Sequence, residues 1–423
     1  MTAPTTVTVR MYNMGFGDAF RVTVQSGPET WRMLVDCGVH SQGAARSLTK
    51  SVQAIVADLA ADSPDGRPRL DVVVATHHHA DHIAGFALDN WAEVEVGEVW
   101  VPFVEDPADP DAARLRQAQA DTARRLMALI DRRVQSLDGG SRSRELAMAE
   151  AFTVNSLSNA DATDRLLGRN GRSFANLPQV RYLPSTERAE NVVKPGPPGV
   201  SVHVLGPPRD PAHLKLMNPP AGTGWLALDA DLDAEPDGAA PEPLFNEAFV
   251  LGPHVDEDSK LGRDWVSLRT RQIDDDEGLL AAASLLEKVV NNTSIFFVLD
   301  VHGRHFVFPG DSQQGAWDYV LNDPQTRTLV SDAVFYKIGH HGSHNGTPKR
   351  YIEEILHDGS CAMLPWGLVK RWAETIPKAE LLDALHAHHH LVVRSDKPVA
   401  EPGRVTVHED LWSEIRFEIP TPG

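Results

Sequence analysis

Seven consecutive residues, Thr76-His77-His78-His79-Ala80-Asp81-His82, carry four imidazoles and one carboxylate. Imidazole nitrogen and carboxylate oxygen together suit borderline divalent cations such as zinc. On an extended segment alternate side chains point the same way, so His77 and His79 can share one ion while His78 faces away. The turn that follows can aim Asp81 and His82 at a second ion. The competing reading is a solvated histidine-rich loop; the apolar run before the cluster and Gly85 after it argue against that. Two later segments offer the same donor types. Asp311 stands in Pro309-Gly310-Asp311-Ser312, and a histidine pair in Gly339-His340-His341-Gly342-Ser343. Either segment alone reads as an ordinary turn. In this order, behind the first cluster, they read as the remaining ligands.

Each donor group follows a strand-like run. Val72-Val73-Val74-Ala75 leads into the histidine cluster, and a continuous apolar run suits a strand buried on both faces. Ile295 to Leu299, a His302-Gly303 turn and His305 to Phe308 read as a hairpin ending at Asp311, and Ala333 to Ile338 as a buried strand ending at His340. Upstream, Val7, Val9 and Met11 alternate, then Phe20 to Val24 and Trp31 to Val35 flank a Ser26-Gly27-Pro28 turn. Leu48, Val52, Ile55, Val56 and Leu59 share one helical face, ended by Asp65-Gly66-Arg67-Pro68. Downstream, a helix near Pro348, a strand at Ala362 to Leu364, a helix from Pro377 and a strand at Leu391 to Val393 continue a βαβα pattern.

The middle differs. Ala112 to Leu137 reads as a long helix, residues 193–222 are rich in Pro and Gly, and residues 228–243 are an acidic, solvated loop. The acidic clusters at Asp256 to Asp258 and Asp274 to Glu277 read as solvated surface. The organisation expected is therefore a half-domain over 1–102, an insertion or lid over 103–290 and a second half-domain over 291–423. The tract His386-Ala387-His388-His389-His390 looks like a metal tract and is expected on the surface.

The whole chain constrains partners. Its formal net charge of −19 repels polyanions at long range, although bound divalent ions would reverse the sign locally. Hydrophobic residues are 42% of the chain, enough for a core, and no apolar stretch is long enough for a membrane helix. No secretory pattern is seen at the start, and Cys37 and Cys361 read as buried thiols, so a soluble, cytoplasmic protein is expected.

The signature His77-x-His79-x-Asp81-His82 resembles that of the metallo-β-lactamase superfamily. Several segments resemble one branch of it, the soluble hydrolase domain of ComEC-type competence proteins: Gly15-Phe16-Gly17-Asp18-Ala19, Leu34 to Gly38, Asn291 to Ser294 with its hairpin to Asp311, and Lys337 to Ser343. Ile376-Pro377 to Asp396 is similar to that branch's closing helix and strand. The resemblance covers residues 7–100 and 290–415. It implies an α/β fold, a four-layer αββα sandwich with a large helical and loop insertion and the metals at one sheet edge. It further implies that His77 and His79 bind one ion, Asp81 and His82 the second, that Asp311 bridges both, that His340 completes the second site and that Asp36 braces the ligand loop. The family often has a further first-site histidine; His203, His213 and His254 are the candidates, without its usual context.

The cofactors expected are two divalent ions, zinc or manganese. Such a pair holds a bridging hydroxide at neutral pH, with Asp81 and Asp311 orienting the nucleophile. His341, Ser343 and Ser312 are expected to contact substrate. The leading activity is that of a phosphodiesterase or nuclease acting on a small phosphodiester, a nucleotide or a short nucleic acid. The alternative is hydrolysis of a small ester, thioester, lactone or lactam. A non-catalytic metal-binding module is the third reading, against which the full ligand set argues. No GxSxG or P-loop pattern is present.

Overall fold

Alternating apolar residues along the strands give two sheets a shared inner face, and that face is one of three large cores. The computed structural model describes residues 4–40, 43–137, 141–157, 159–214, 216–220, 224–225, 275–369 and 376–420. Among these, β1 (Thr5–Tyr12), β2 (Phe20–Ser26), β3 (Glu29–Val35), β4 (Arg69–Val74), β5 (Glu95–Pro102) and β6 (Gln179–Leu183) lie in the first sheet. The second sheet contains β7 (Val192–Val193), β8 (Val200–Gly206), β9 (Phe296–Val301), β10 (Arg304–Phe308), β11 (Ala333–Lys337), β12 (Cys361–Leu364) and β13 (Leu391–Arg394). The last strands, β14 (Val405–His408) and β15 (Trp412–Ile419), return to the first sheet. The sheet orders are β14-β15-β1-β2-β3-β4-β5-β6 and β13-β12-β11-β10-β9-β8-β7.

Val7, Val9, Phe20, Val72 and Val74 of the first sheet meet Phe297, Phe306, Phe308, Phe335 and Met363 of the second. Helices cover both outer faces. On the first sheet these are α1 (Leu48–Ala61) and, after the short α2 (Ala80–Ile83), a second covering helix further along. Chain order gives α3 (Pro110–Gln135), α4 (Arg144–Ser156), α5 (Ala160–Leu166), α6 (Pro211–Leu214), α7 (Asp276–Asn291), α8 (Gln314–Asn322), α9 (Pro324–Ser331) and α10 (Ala379–Ala387). Val52 and Ile55 of α1 and Leu166 of α5 pack on Leu34, Val73 and Val99. Leu126, Leu146, Leu286, Trp317 and Leu381, from α3, α4, α7, α8 and α10, pack on Phe296, Val298 and Tyr336. The result is a four-layer αββα sandwich.

Local signals explain the helix ends. The Ser47 hydroxyl accepts from Lys50 N and starts α1, whose buried face is Val52, Ile55, Val56 and Leu59, as the periodicity predicts. Asp109 accepts from Asp111 N and Ala112 N, and Pro110 takes the first helical position of α3, so that helix starts slightly before Ala112. The acidic run before α7 is not simply solvated surface: Asp275 accepts from Gly278 N as its cap, and Asp276 accepts from Arg133 Nε at 2.7 Å.

Residues 103–290 supply a strand to one sheet and two to the other. β6 pairs in parallel with β5 (Val99 opposite Val180), and β8 pairs antiparallel with β9 (Val202 opposite Leu299). The Pro- and Gly-rich composition around β8 hid the alternation of Val200, Val202 and Val204. The acidic stretch 228–243 lies outside the described residues, as do Asp256 to Asp258. Among the described residues no helix is long and apolar enough to cross a membrane.

Candidate metal centre

Parallel strands bring their carboxyl ends to one edge of the sandwich, where loops are free to carry chemistry. Val35 of β3 lies opposite Val74 of β4, so Asp36 and the segment Thr76 to His82 emerge side by side. Val307 of β10 lies opposite Tyr336 of β11, which does the same for Asp311 and the His340 turn.

Two groups of donors result, and every donor side chain in them is buried. In the first, His77 Nε2 is 3.0 Å from His79 Nδ1. In the second, one atom each of Asp81, His82, Asp311 and His341 lies within 4.8 Å of the others. His82 Nε2 is 3.1 Å from Asp311 Oδ2, and His341 Nε2 is 3.1 Å from Asp81 Oδ2. The His77 and His82 rings are 4.1 Å apart between centroids, so the two groups adjoin. Nitrogen and oxygen ligands held about 2.0–2.2 Å from a tetrahedral ion sit about 3.3–3.6 Å from one another. The spacings here, and a donor set of imidazoles and carboxylates, therefore fit divalent ions. Burial holds the His77 pKa well below its ordinary value and pushes His79 down to about 4, so both rings are neutral, the state that ligates. At His82 burial opposes the charged form, yet Asp311, Asp18, Asp36 and Asp81 raise its pKa well above the ordinary value. That concentration of carboxylates calls for positive charge.

Asp36 organises the loop. Its Oδ1 accepts from Thr76 N at 2.7 Å, and its Oδ2 lies 2.7 Å from Thr76 Oγ1 and 2.8 Å from His82 Nδ1. With a proton on Nδ1, His82 donates to Asp36 and presents Nε2 to the cluster. Asp36 holds φ at 59°, a left-handed conformation uncommon without glycine. His78 turns outward to Glu105, 3.4 Å away.

The two histidines after β11 face different neighbours. His341, not His340, stands among the carboxylates. His340 Nε2 is 3.1 Å from Glu287 Oε1, and its Nδ1 is 2.7 Å from Ser343 Oγ and 3.1 Å from Asn345 Oδ1. Both residues have positive φ, 47° and 50°, so the chain curls instead of continuing the strand, and the second ring swings inward. There Phe16 packs on it at 4.1 Å between centroids, and the Pro365 carbonyl is 3.0 Å from Nδ1. His341 and Ser343, expected against substrate, are thus engaged inside: Ser343 also donates to Asn345 Oδ1 at 2.8 Å. Ser312 is fully buried, and its Oγ has no hydrogen-bond partner among the described residues.

Several neighbours were not anticipated. Ser294 Oγ lies 3.1 Å from His77 Nδ1 and accepts from Asp311 N at 3.1 Å. From α4, Asn155 Nδ2 donates to Asp81 Oδ1 at 3.2 Å, and Ser156 Oγ is 3.2 Å from His79 Nε2. Asp18 N donates to Asp81 O at 2.9 Å, and the Lys337 ammonium is 2.5 Å from Asp18 Oδ2. A lysine in the otherwise apolar run Ala333 to Ile338 was the available signal for the last contact. The extra-ligand candidates lie with other partners: His203 is 3.8 Å from Asp300 and His213 is 3.5 Å from Asp210, while His254 lies outside the described residues. In the late tract His386 and His389 are exposed, but His390 is buried with Nδ1 2.9 Å from Ser360 Oγ.

Residues 24–88 match the family model of the metallo-beta-lactamase superfamily. That stretch runs from β2 through Asp36 and the whole His77 to His82 cluster. The match supports the superfamily, and the two-sheet sandwich agrees with its fold. The buried histidine and aspartate cluster is compatible with divalent metal binding. No curated protein matches the chain.

Close packing under the loop Ala80 to His82 gives a test of the candidate site. A Cβ on Gly38 would fall 2.4 Å from Ala80 O and 2.4 Å from His82 N. Cys37 N, one residue earlier, donates to His82 O at 2.7 Å. Gly38→Ala is expected to push Ala80 to His82 outward, costing about 1–3 kcal/mol of stability and weakening metal uptake. Denaturant unfolding and a metal titration read both effects; wild-type values in both would show that the loop has slack.

Proposed function

We propose that this protein is a two-metal hydrolase acting on a small phosphodiester, a nucleotide or a short single strand. The observation that carries the reading is the convergence of Asp81, His82, Asp311 and His341 beside the His77 and His79 pair. In this reading His77 and His79 would hold one ion, and Asp81, His82, Asp311 and His341 would hold the other. Zinc fits the donor set best, with manganese next. Two such ions, when bound, supply Lewis acidity, a water made acidic near neutral pH and charge compensation for attacking and leaving oxygens.

The chain's own residues do the rest. Asp36 fixes the tautomer of His82, Ser294 holds both the His77 ring and the Asp311 backbone, and Asn155 orients Asp81. Phosphorus is favoured over carbonyl carbon because in-line displacement develops charge on two oxygens. The ComEC-like elements add support. Asp18 N, in the Gly15 to Ala19 element, donates to Asp81 O; Ser294, in the Asn291 element, lies beside His77; and His341, in the Lys337 to Ser343 element, lies beside Asp81. A net charge of −19 disfavours long polyanions, which is why the substrate proposed is small.

The test is a panel run on metal-reconstituted protein: bis-p-nitrophenyl phosphate, cyclic dinucleotides, short single strands, duplex DNA, a lactone, a thioester and a β-lactam. Elemental analysis should find about two ions per chain. Turnover should fall on the phosphodiesters and vanish with chelator. Turnover of the carbonyl compounds alone would overturn the phosphodiester reading.

A further inference from the structure

The mechanism so far makes no use of Lys337. It ends β11 after the apolar run Ala333 to Tyr336 and is only 2% exposed. Buried lysines are rare unless paired, so its partners are informative. Nζ is 2.5 Å from Asp18 Oδ2, 3.1 Å from Asp311 Oδ1 and 3.1 Å from the Gly310 carbonyl. Two hydrogen bonds, to Gly310 O and Asp311 Oδ1, and the ion pair with Asp18 hold the ammonium in place.

The consequence falls on Asp311. Its Oδ1 is taken by Lys337 and by His340 N, the latter at 3.0 Å. Its Oδ2 alone faces the donor cluster, 3.1 Å from His82 Nε2 and 4.0 Å from His341 Nε2. We propose that Lys337 is a positioning residue that confines Asp311 to one metal-facing oxygen, and that its ammonium is the resident cation of the neighbouring Asp18 and Asp36 pocket. The inference rests on the metal reading of the site.

Two physical effects follow. A carboxylate free to turn can chelate one ion with both oxygens; that fills a coordination position which a hydrolytic site must keep open. Locking Oδ1 prevents it. The second effect is charge. Asp18, Asp36, Asp81 and Asp311 are all buried, and two divalent ions balance four carboxylates. The ammonium adds one positive unit to that balance, enough to offset a single anionic group such as a hydroxide nucleophile. The same ammonium disfavours a third ion at Asp18, Asp36 and His82, whose donor atoms also lie within 4.8 Å of one another. Arginine cannot substitute, because a planar fork does not reproduce a point charge with three diverging donors.

The experiment is cobalt(II) loading of the full chain, followed by its visible spectrum, its cobalt affinity and a crystal structure. In the unmodified protein Oδ2 of Asp311 should ligate while Lys337 keeps Oδ1. In Lys337→Met, Oδ1 keeps only the His340 N hydrogen bond and should join an ion, so absorption per cobalt weakens as coordination number rises. Cobalt binding should also tighten by about tenfold, since a repelling charge is gone. Because Lys337→Met strands Asp18, the double variant Asp18→Asn/Lys337→Met is made beside it, and Lys337→Arg should fail to restore the parent spectrum. Oδ1 ligating in the unmodified protein, or an unchanged spectrum in a folded double variant, overturns the inference alone. Failure of the unmodified chain to take up any ion overturns the metal reading and this inference with it.

Discussion

Asp311→Ala should lower kcat on a phosphodiester by about a thousandfold or more, whereas His78→Ala should stay within about threefold of wild type. The contrast comes from position. Asp311 Oδ2 is 3.1 Å from His82 Nε2 and 4.0 Å from His341 Nε2, inside the buried group of Asp81, His82, Asp311 and His341. His78 sits next to two proposed ligands in sequence, but its ring meets Glu105 at the outer side of the loop. Stability has to be separated from chemistry. Removing the Asp311 carboxylate leaves the Lys337 ammonium with Asp18 as its only carboxylate partner, and breaking a buried ion pair costs about 3–5 kcal/mol. Asp311→Asn keeps the shape and should lose nearly as much activity with a smaller fall in Tm. Steady-state kinetics on folded, metal-loaded samples decide it. Equal losses for the Asp311 and His78 variants would remove Asp311 from the centre of the mechanism.

The sequence was most legible where a regular period met a strand end. Val72 to Val74 is apolar throughout because β4 is covered on both faces, and it delivers Thr76 to His82 to the edge. The same logic reached Asp311 through the β9 and β10 hairpin. It failed wherever the third dimension chose between equivalent neighbours. His340 and His341 are chemically identical, and only two consecutive left-handed residues decide which ring turns inward. It failed again in the middle segment, where Asn155 and Ser156 ride on α4 and reach Asp81 and His79. Nothing in a polar pair at a helix end announces that the helix lies against a cluster some 75 residues earlier, at sequence separations of 74 and 77. Lys337 was visible as a charge in an apolar strand, but its partners come from two distant loops. Buried charges advertise that a partner exists, not where it is.

His341→Ala should reduce the metal content from about two ions per chain to about one and cost about a hundredfold or more in kcat, while His340→Ala should keep both ions. His341 Nε2 is 3.1 Å from Asp81 Oδ2, and its other nitrogen is 3.0 Å from the Pro365 carbonyl, which fixes the tautomer with Nε2 free for a ligand bond. Phe16 on the ring face prevents it from turning away. His340 instead ties Glu287, Ser343 and Asn345 together. Its loss should therefore appear as about 1–3 kcal/mol of stability, from polar groups left unpaired in a buried place. The order of the two variants thus inverts between readouts, with His341→Ala worse in metal content and His340→Ala worse in unfolding. Elemental analysis after dialysis, run beside a thermal melt, separates them. If His340→Ala lost the ion and His341→Ala kept it, the ligand would be the first histidine of the pair, and the inward turn of the second would have a packing role only.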